Sequence, residues 1–457
     1  MEFLDRTKEI EQLSEAWAGI GDRRSFIALY GRRRCGKSTL LRRMIREQDV
    51  YFMASESSTA MQLQQLAHAL AKNFPAFDAV TYANYDQLFE VLESRISEPF
   101  TLVIDEFPYL IQQDAGLASI LQRVLDDPAK RKFNLVLCGS SQQMMHDAIL
   151  SGTAPLYGRA DEILHIKPLD AGWLSEVLPS ASADAVIMEY AVWGGVPRYW
   201  ETRERHKSLR ETVLRTLLQT TGLFYDEPRR LLLDDLRDLT QPISLLSVIA
   251  NGVHRPSEIG ARLSRKASEL QRPLQRLVAL GYIRREVPLF ASIRASKLVH
   301  YTISDPFLRF YYRFILTNAS MIGAGASEGV WQLIEAGLSQ HTSQVWEQLC
   351  MQAVRKGMLG KDLVYVGRWW GKSSNGKPME IDILATNSAK DRWIVVECKW
   401  SLSAKPDTIR TDTANKVRML PFYKGEPVES FVAARGLKGN IEEGVINPED
   451  VLGWLRD

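Results

Sequence analysis

The sequence predicts a protein of α/β layers: a largely parallel sheet first, a basic helical segment next, and a second α/β domain last. Three observations carry this. Over residues 1–228 short apolar runs alternate with amphipathic helical stretches, the alternation that builds parallel sheets. One of these runs, SFIALY, feeds straight into the turn GRRRCGKST. Near the other end, EIDILA and WIVVECK place acids on apolar, strand-like segments.

The strands of the first domain come in order as Ser25–Tyr30, Val50–Ala54, Phe100–Asp105, Asn134–Gly139 and Glu162–Ile166, each short, apolar and bounded by turn residues. Candidate helices such as Lys37–Arg46 and Ser58–Lys72 run between them, and a helical extension or lid completes residues 1–228. A basic helical segment covers 229–317, and Asn318–Gly329 (NASMIGAGASEG) reads as a linker. Residues 318–457 then resume with helix pattern and the strands Asp362–Val366, Glu380–Ala385 and Trp393–Glu397.

At about 100 to 200 residues per domain, 457 residues make two to four domains. Hydrophobic residues at 45% and charged residues at 25% exclude wholesale disorder and a fibrous chain. No apolar run approaches the roughly 18 residues that cross a bilayer, and the start MEFLDRTKEIEQL is charged. A cytoplasmic protein with no membrane partner is expected. Cys35, Cys138, Cys350 and Cys398 stand far apart, and seven histidines form no HExxH, so any metal must be held by carboxylates.

The turn after SFIALY fits GxxxxGK[ST] in its strand-loop-helix context and is a P-loop. Gly31 and Gly36 permit the tight turn, and the backbone through Arg32, Arg33, Arg34, Cys35 and Thr39 would cradle phosphate at a helix N-terminus. Lys37 would face the β/γ oxygens of ATP, and Ser38 would bind Mg²⁺. The run FTLVID then delivers Asp105 and Glu106 to the strand edge where ligands of such sheets sit, a Walker B pattern. Asp105 would hold the Mg²⁺ shell and Glu106 would orient or deprotonate the attacking water. Ser140 or Ser141, after the strand NLVLCG, stands as a γ-phosphate sensor or as an ordinary turn. Arg159 stands equally as a phosphate-sensing arginine or a surface ion pair. The three loop arginines face phosphate or a neighbouring domain.

FLDRTKEIEQL, GRRRCGKSTLL, LVIDEFPYL, LVLCGSS, PLYGR and GGVPRYW together resemble the archaeal-type ATPases, relatives of the STAND branch of P-loop NTPases. That resemblance, over the first half of the chain, implies the ASCE sheet order, a catalytic acid at Glu106 and Arg6 near the nucleotide base.

From Asn251 to Phe310 eleven lysines and arginines face four acids, a local +7 in a chain whose net charge is +2. Ile243–Ala250, Pro256–Leu263 and Ser268–Leu280 read as three helices, with Ser257 and Ser268 near N-termini and Gly281 ending the third. Tyr282–Glu286 and Leu298–Ile303 would pair behind them, a winged helix-turn-helix pattern. Arg265, Lys266, Arg272 and Arg276 would then meet DNA; a protein contact is the alternative. Pro273 is tolerable if it falls in the third helix's first turn. The same archaeal ATPases carry a winged helix here, followed by a segment like Tyr301–Ile315, whose aromatic spacing suits a buried helix.

In the last part Asp382 lies on one strand pattern and Glu397 and Lys399 share a face of the next. Two carboxylates brought together this way repel unless a divalent cation bridges them, and Lys399 could position water. Glu347, in SQVWEQLC, is a third acid. This part resembles the PD-(D/E)XK nuclease-like, restriction-endonuclease-like domain found at the C-terminus of archaeal-type ATPases. By that resemblance Glu347, Asp382, Glu397 and Lys399 form a phosphodiesterase site using Mg²⁺ or Mn²⁺, with Asp382 and Glu397 as metal ligands.

The combined expectation is an ATP-binding and hydrolysing protein that binds DNA and cleaves it under nucleotide control. A non-cleaving ATP switch or transcription regulator, and an origin-binding initiator, are the rivals. A homo-oligomer is compatible with either class.

Overall fold

Apolar residues on both faces drive β1 (Phe26–Tyr30), β3 (Thr101–Asp105) and β4 (Asn134–Gly139) into the interior, since a strand with no polar face has no side to offer water. Phe26, Ile27, Val103, Ile104, Leu135 and Val136 are fully buried. With β2 (Val50–Met53) and β5 (Glu162–His165) they form an all-parallel sheet of order β2-β3-β4-β1-β5. β4 lies between β1 and β3, the insertion that marks the ASCE class. Helices Thr59–Ala71 and Tyr85–Arg95 bury Leu63, Leu66 and Leu70, and Leu88, Phe89 and Leu92, in the same core as the strands.

These features belong to a computed structural model that describes residues 3–18, 24–127, 132–292, 298–437 and 439–456. The chain forms two compact units, one of Phe3–Pro168 with Leu231–Arg237, the other of Leu169–Arg230 with the chain from Asp238 onward. The first unit is therefore discontinuous. Seven residues return to it after sixty-two have gone elsewhere.

In the second unit helices Thr240–Ala250, Pro256–Arg262 and Ala267–Ala279 precede a two-stranded antiparallel ribbon, β6 (Ile283–Glu286) with β7 (His300–Ile303). The apolar stripe Leu270, Leu274 and Leu277 turns the third helix inward. Pro273 is not in its first turn but seven residues in. A missing N–H there costs about 3 kcal/mol, which the packing of that stripe offsets. Residues 293–297, in the expected ribbon turn, lie outside the described residues. After β6, the Leu289 N–H donates to the Arg368 carbonyl at 2.8 Å, so this segment joins the edge of a second sheet.

That sheet has the order β12-β11-β10-β9-β8, with β8 (Leu363–Lys372), β9 (Pro378–Asn387) and β10 (Trp393–Lys399) antiparallel in succession and β11 (Val428–Ala434) and β12 (Val445–Ile446) parallel to β10. Helix Ser327–Arg355 packs against it. The expected linker Asn318–Gly329 is mostly helical: Ala319–Gly323 forms one helix, and the long one begins at Ser327. Alanine, methionine and isoleucine outweigh the glycines, and Gly325, at φ 80°, makes the break between the helices. In Tyr301–Ile315 the aromatic residues Phe307, Phe310 and Tyr312 are core, as their spacing indicates.

Candidate functional site

In the first unit the end of β1 passes through Gly31 and Gly36, at φ 152° and 90°, into helix Lys37–Met44. A Cβ at Gly31 would stand 2.2 Å from the Ile166 carbonyl oxygen, so this position admits no side chain. The Lys37 Nζ donates to the Gly31 and Arg32 carbonyls at 2.8 and 3.2 Å, which folds the loop around the ammonium. Ser38 is half-buried and Thr39 exposed at the helix start, while Cys35 is buried. Arg6 is committed to the frame: it donates to the Cys35 and Lys167 carbonyls and pairs with Glu9.

At the end of β3 the buried Asp105 accepts from the Tyr51 hydroxyl at 2.5 Å and from the Glu106 N–H at 3.0 Å. Burial pushes the Tyr51 phenol up, and the Asp105 charge adds to this, so Tyr51 stays a neutral donor. Glu106 sits in the left-handed region at φ 54° and accepts from the Ser140 hydroxyl at 2.8 Å. A strained backbone at an acid is a mark of functional positions. Ser140 is thus joined to Glu106, whereas Ser141 caps the next helix. Arg159 is bidentate on Asp126, at 2.7 and 2.8 Å.

Two residues without any motif complete this edge. Asp235 accepts from the Ser141 hydroxyl and the Gln143 N–H at 3.3 and 3.2 Å, and Asp234 pairs with Arg33 of the P-loop at 3.7 Å. A partly exposed pair of that length is worth about 0–1 kcal/mol.

The second unit gathers the other acids. β9 and β10 pair with Val396 opposite Ile383, so Asp382 and Glu397 face each other one step further on. The Asp382 carboxylate accepts from the Cys398 N–H at 2.9 Å. Glu397 accepts from Lys399 and from Lys416, each at 2.8 Å. Burial raises the Glu397 carboxyl, but the two lysines outweigh it and the net shift is downward. Burial and the Glu397 charge raise Asp382. Burial, then the Asp382 charge, push Glu347 up to about 7. A neighbouring negative charge that raises the proton affinity of Glu347 and of Asp382 fits a cation, which would relieve it. Glu397 fits less directly, because lysines already hold both its oxygens. Among the described residues no three Asp, Glu, His or Cys side chains converge as a metal-binding group. Lys416, on helix Pro406–Arg418, carried no sequence signal.

Arg265, Lys266, Arg272 and Arg276 are all exposed on or just before helix Ala267–Ala279.

Residues 3–199 match a family described as an ATPase domain predominantly from Archaea. The architecture is that of a P-loop ATPase. Residues 311–411, outside this ATPase unit, match a family described as Archaea bacterial proteins of unknown function. An uncharacterised protein of Methanocaldococcus jannaschii is 29% identical over 417 residues, spanning 87% of each chain. The Walker-type ATPase PABY2304 of Pyrococcus abyssi aligns with TM-score 0.53 at 20% identity, over 68% of this chain and 96% of that one, a likeness of fold. No helix among the described residues is long and apolar enough to cross a membrane.

Proposed function

We propose that the chain hydrolyses ATP at the P-loop and uses nucleotide state to govern a metal-dependent DNA-cleaving site in its second unit. Lys37 neutralises the β/γ-phosphates, Ser38 and Asp105 hold Mg²⁺, and Glu106, steadied by Ser140, orients the attacking water. The bound ion supplies charge neutralisation at the phosphates. Arg32, Arg33, Arg34, Cys35 and Thr39 line the phosphate loop, and Arg159 reaches nucleotide only by leaving Asp126.

The three helices and ribbon after Asp238 support a winged helix, with Arg265, Lys266, Arg272 and Arg276 as phosphate contacts. In functional terms the chain divides near residues 228 and 317 into ATPase, DNA-binding and nuclease-like parts.

One observation carries the cleavage reading: Asp382 and Glu397 opposed on antiparallel strands, with Lys399 on Glu397 and Glu347 beside Asp382. Asp382 and Glu397 would hold a divalent ion there, which would supply an activated water and charge for the departing oxyanion. EDTA-sensitive plasmid nicking should occur with Mg²⁺ or Mn²⁺, vanish in Asp382→Ala, Glu397→Ala and Lys399→Ala, and survive in Lys37→Ala. Absence of nicking under all these conditions would leave the non-cleaving switch. The lysine clamp on Glu397 is the observation favouring that second reading, since it balances the acid without any metal.

A further inference from the structure

Within the second unit a cavity of about 900 Å³ opens between the β6–β7 ribbon, helix Ser327–Arg355 and the β8–β9 edge, and Glu347 and Asp382 are in its wall. Cations line it too, Arg284 from β6, Arg368 from β8 and the buried Arg309, and Arg368 Nη2 lies 3.8 Å from Glu347, so acids and cations share the wall. Four buried donor nitrogens on three lining residues have no hydrogen-bond partner among the described residues: Nε and Nη2 of Arg284, Nε of Arg368 and Nε1 of Trp370. Arg284 Nε lies 3.9 Å from Glu286, an ion pair without a hydrogen bond, and Arg368 Nη2 is engaged by Glu380. Trp370 is 6% exposed and stacks on His300 at 4.5 Å.

Leaving one buried donor unsatisfied costs about 1–3 kcal/mol, so several around one cavity call for acceptors brought by a ligand. Guanidinium and indole groups on residues that line one cavity suit phosphate oxygens. The acids beside these cations would repel such an anion unless a divalent ion stood between them. Gln344, Gln348 and Gln352 also line the cavity at four-residue spacing on one helix face, and their amides match base edges. The volume lies near the upper end of the range, about 300–1,000 Å³, of small-ligand sites. It suits one or two nucleotides of one strand.

We propose that this cavity receives the end of a DNA single strand, with its phosphodiester on Arg284, Arg368 and the Trp370 N–H, beside Glu347 and Asp382. The inference rests on the phosphodiester reading of those two acids and narrows it to a substrate class. It also gives the ribbon a part in the second site, through Arg284.

Calorimetry on the full chain with Ca²⁺ in place of a catalytic ion tests it, using 5′-phosphorylated dT4, dTMP and a blunt 12-base-pair duplex. dT4 should bind at least about tenfold tighter than dTMP. Trp370→Phe, which keeps an aromatic ring and loses the N–H, and Arg284→Gln should each weaken dT4 about five- to tenfold. Neither should change duplex affinity. Melting temperatures within about 2 °C of wild type would show that both variants fold. Equal affinities for dT4 and dTMP, or undiminished dT4 binding in both folded variants, would overturn the proposal. Single-strand binding without any nicking would uphold it and sink the nuclease reading, whereas duplex nicking with no dT4 affinity would do the reverse.

Discussion

Lys37 and Glu106 are held by different kinds of partner, and that difference separates their roles. Lys37 is wrapped by its own loop carbonyls, so Lys37→Ala removes the charge that meets the β/γ-phosphates and should reduce ATP affinity at least about a hundredfold. Glu106→Gln keeps a side chain that can still meet Ser140; ATP should bind within about threefold of wild type while phosphate release slows about 10²- to 10⁴-fold. Undiminished affinity in the lysine variant, by calorimetry, would remove the phosphate-site assignment. Glu347 offers a pH test. Its native pKa, about 7, stands above the ordinary 4.5, so between those values the folded chain keeps a proton that the unfolded chain has lost. Stability therefore falls as pH rises through that window. Glu347→Gln should flatten the fall, gaining about 1–3 kcal/mol relative to wild type on going from pH 5 to pH 8 in urea titrations. The motif residues were legible because their chemistry demands fixed spacing. Asp235, 94 residues from Ser141, and Lys416 were not, because only the tertiary fold brings them to their partners.

At the scale of elements, strands were read more faithfully than connections. The five strands of the first sheet lie within one residue of their expected ends, and in β1, β3 and β4 burial on both faces leaves an apolar run little other conformation. Asn318–Gly329 is helical where its composition suggests a linker, because small residues suit both and only packing separates the two. Pro273 shows the same override, a helix carried through a proline by its buried stripe. The exposed face of that helix carries a prediction. Arg272 and Arg276 are one helical turn apart and exposed, so they can neutralise phosphates together. Replacing both with alanine should reduce the log–log salt slope of duplex binding by about 2. An unchanged slope would favour a protein partner for this face.

For the whole molecule, the return of Leu231–Arg237 to the ATPase unit bears on how the chain can be divided. A fragment ending at residue 228 lacks Asp234 and Asp235 and leaves Ser141, Gln143 and Arg33 without those partners. It should melt below the full chain's ATPase transition, and extension to residue 237 should recover the loss, as calorimetric scans of both fragments would show. Equal melting of the two would mean that the seven residues merely rest there. The same discontinuity sets an order of events during synthesis. β5 ends at His165, so the sheet's last strand precedes Asp234 and Asp235 by about 70 residues. At about 5–20 residues per second the ribosome needs roughly 4 to 14 s to supply them. A nascent ATPase domain waits that long, unfinished at its phosphate edge, and is completed only as the start of the basic helices comes into being.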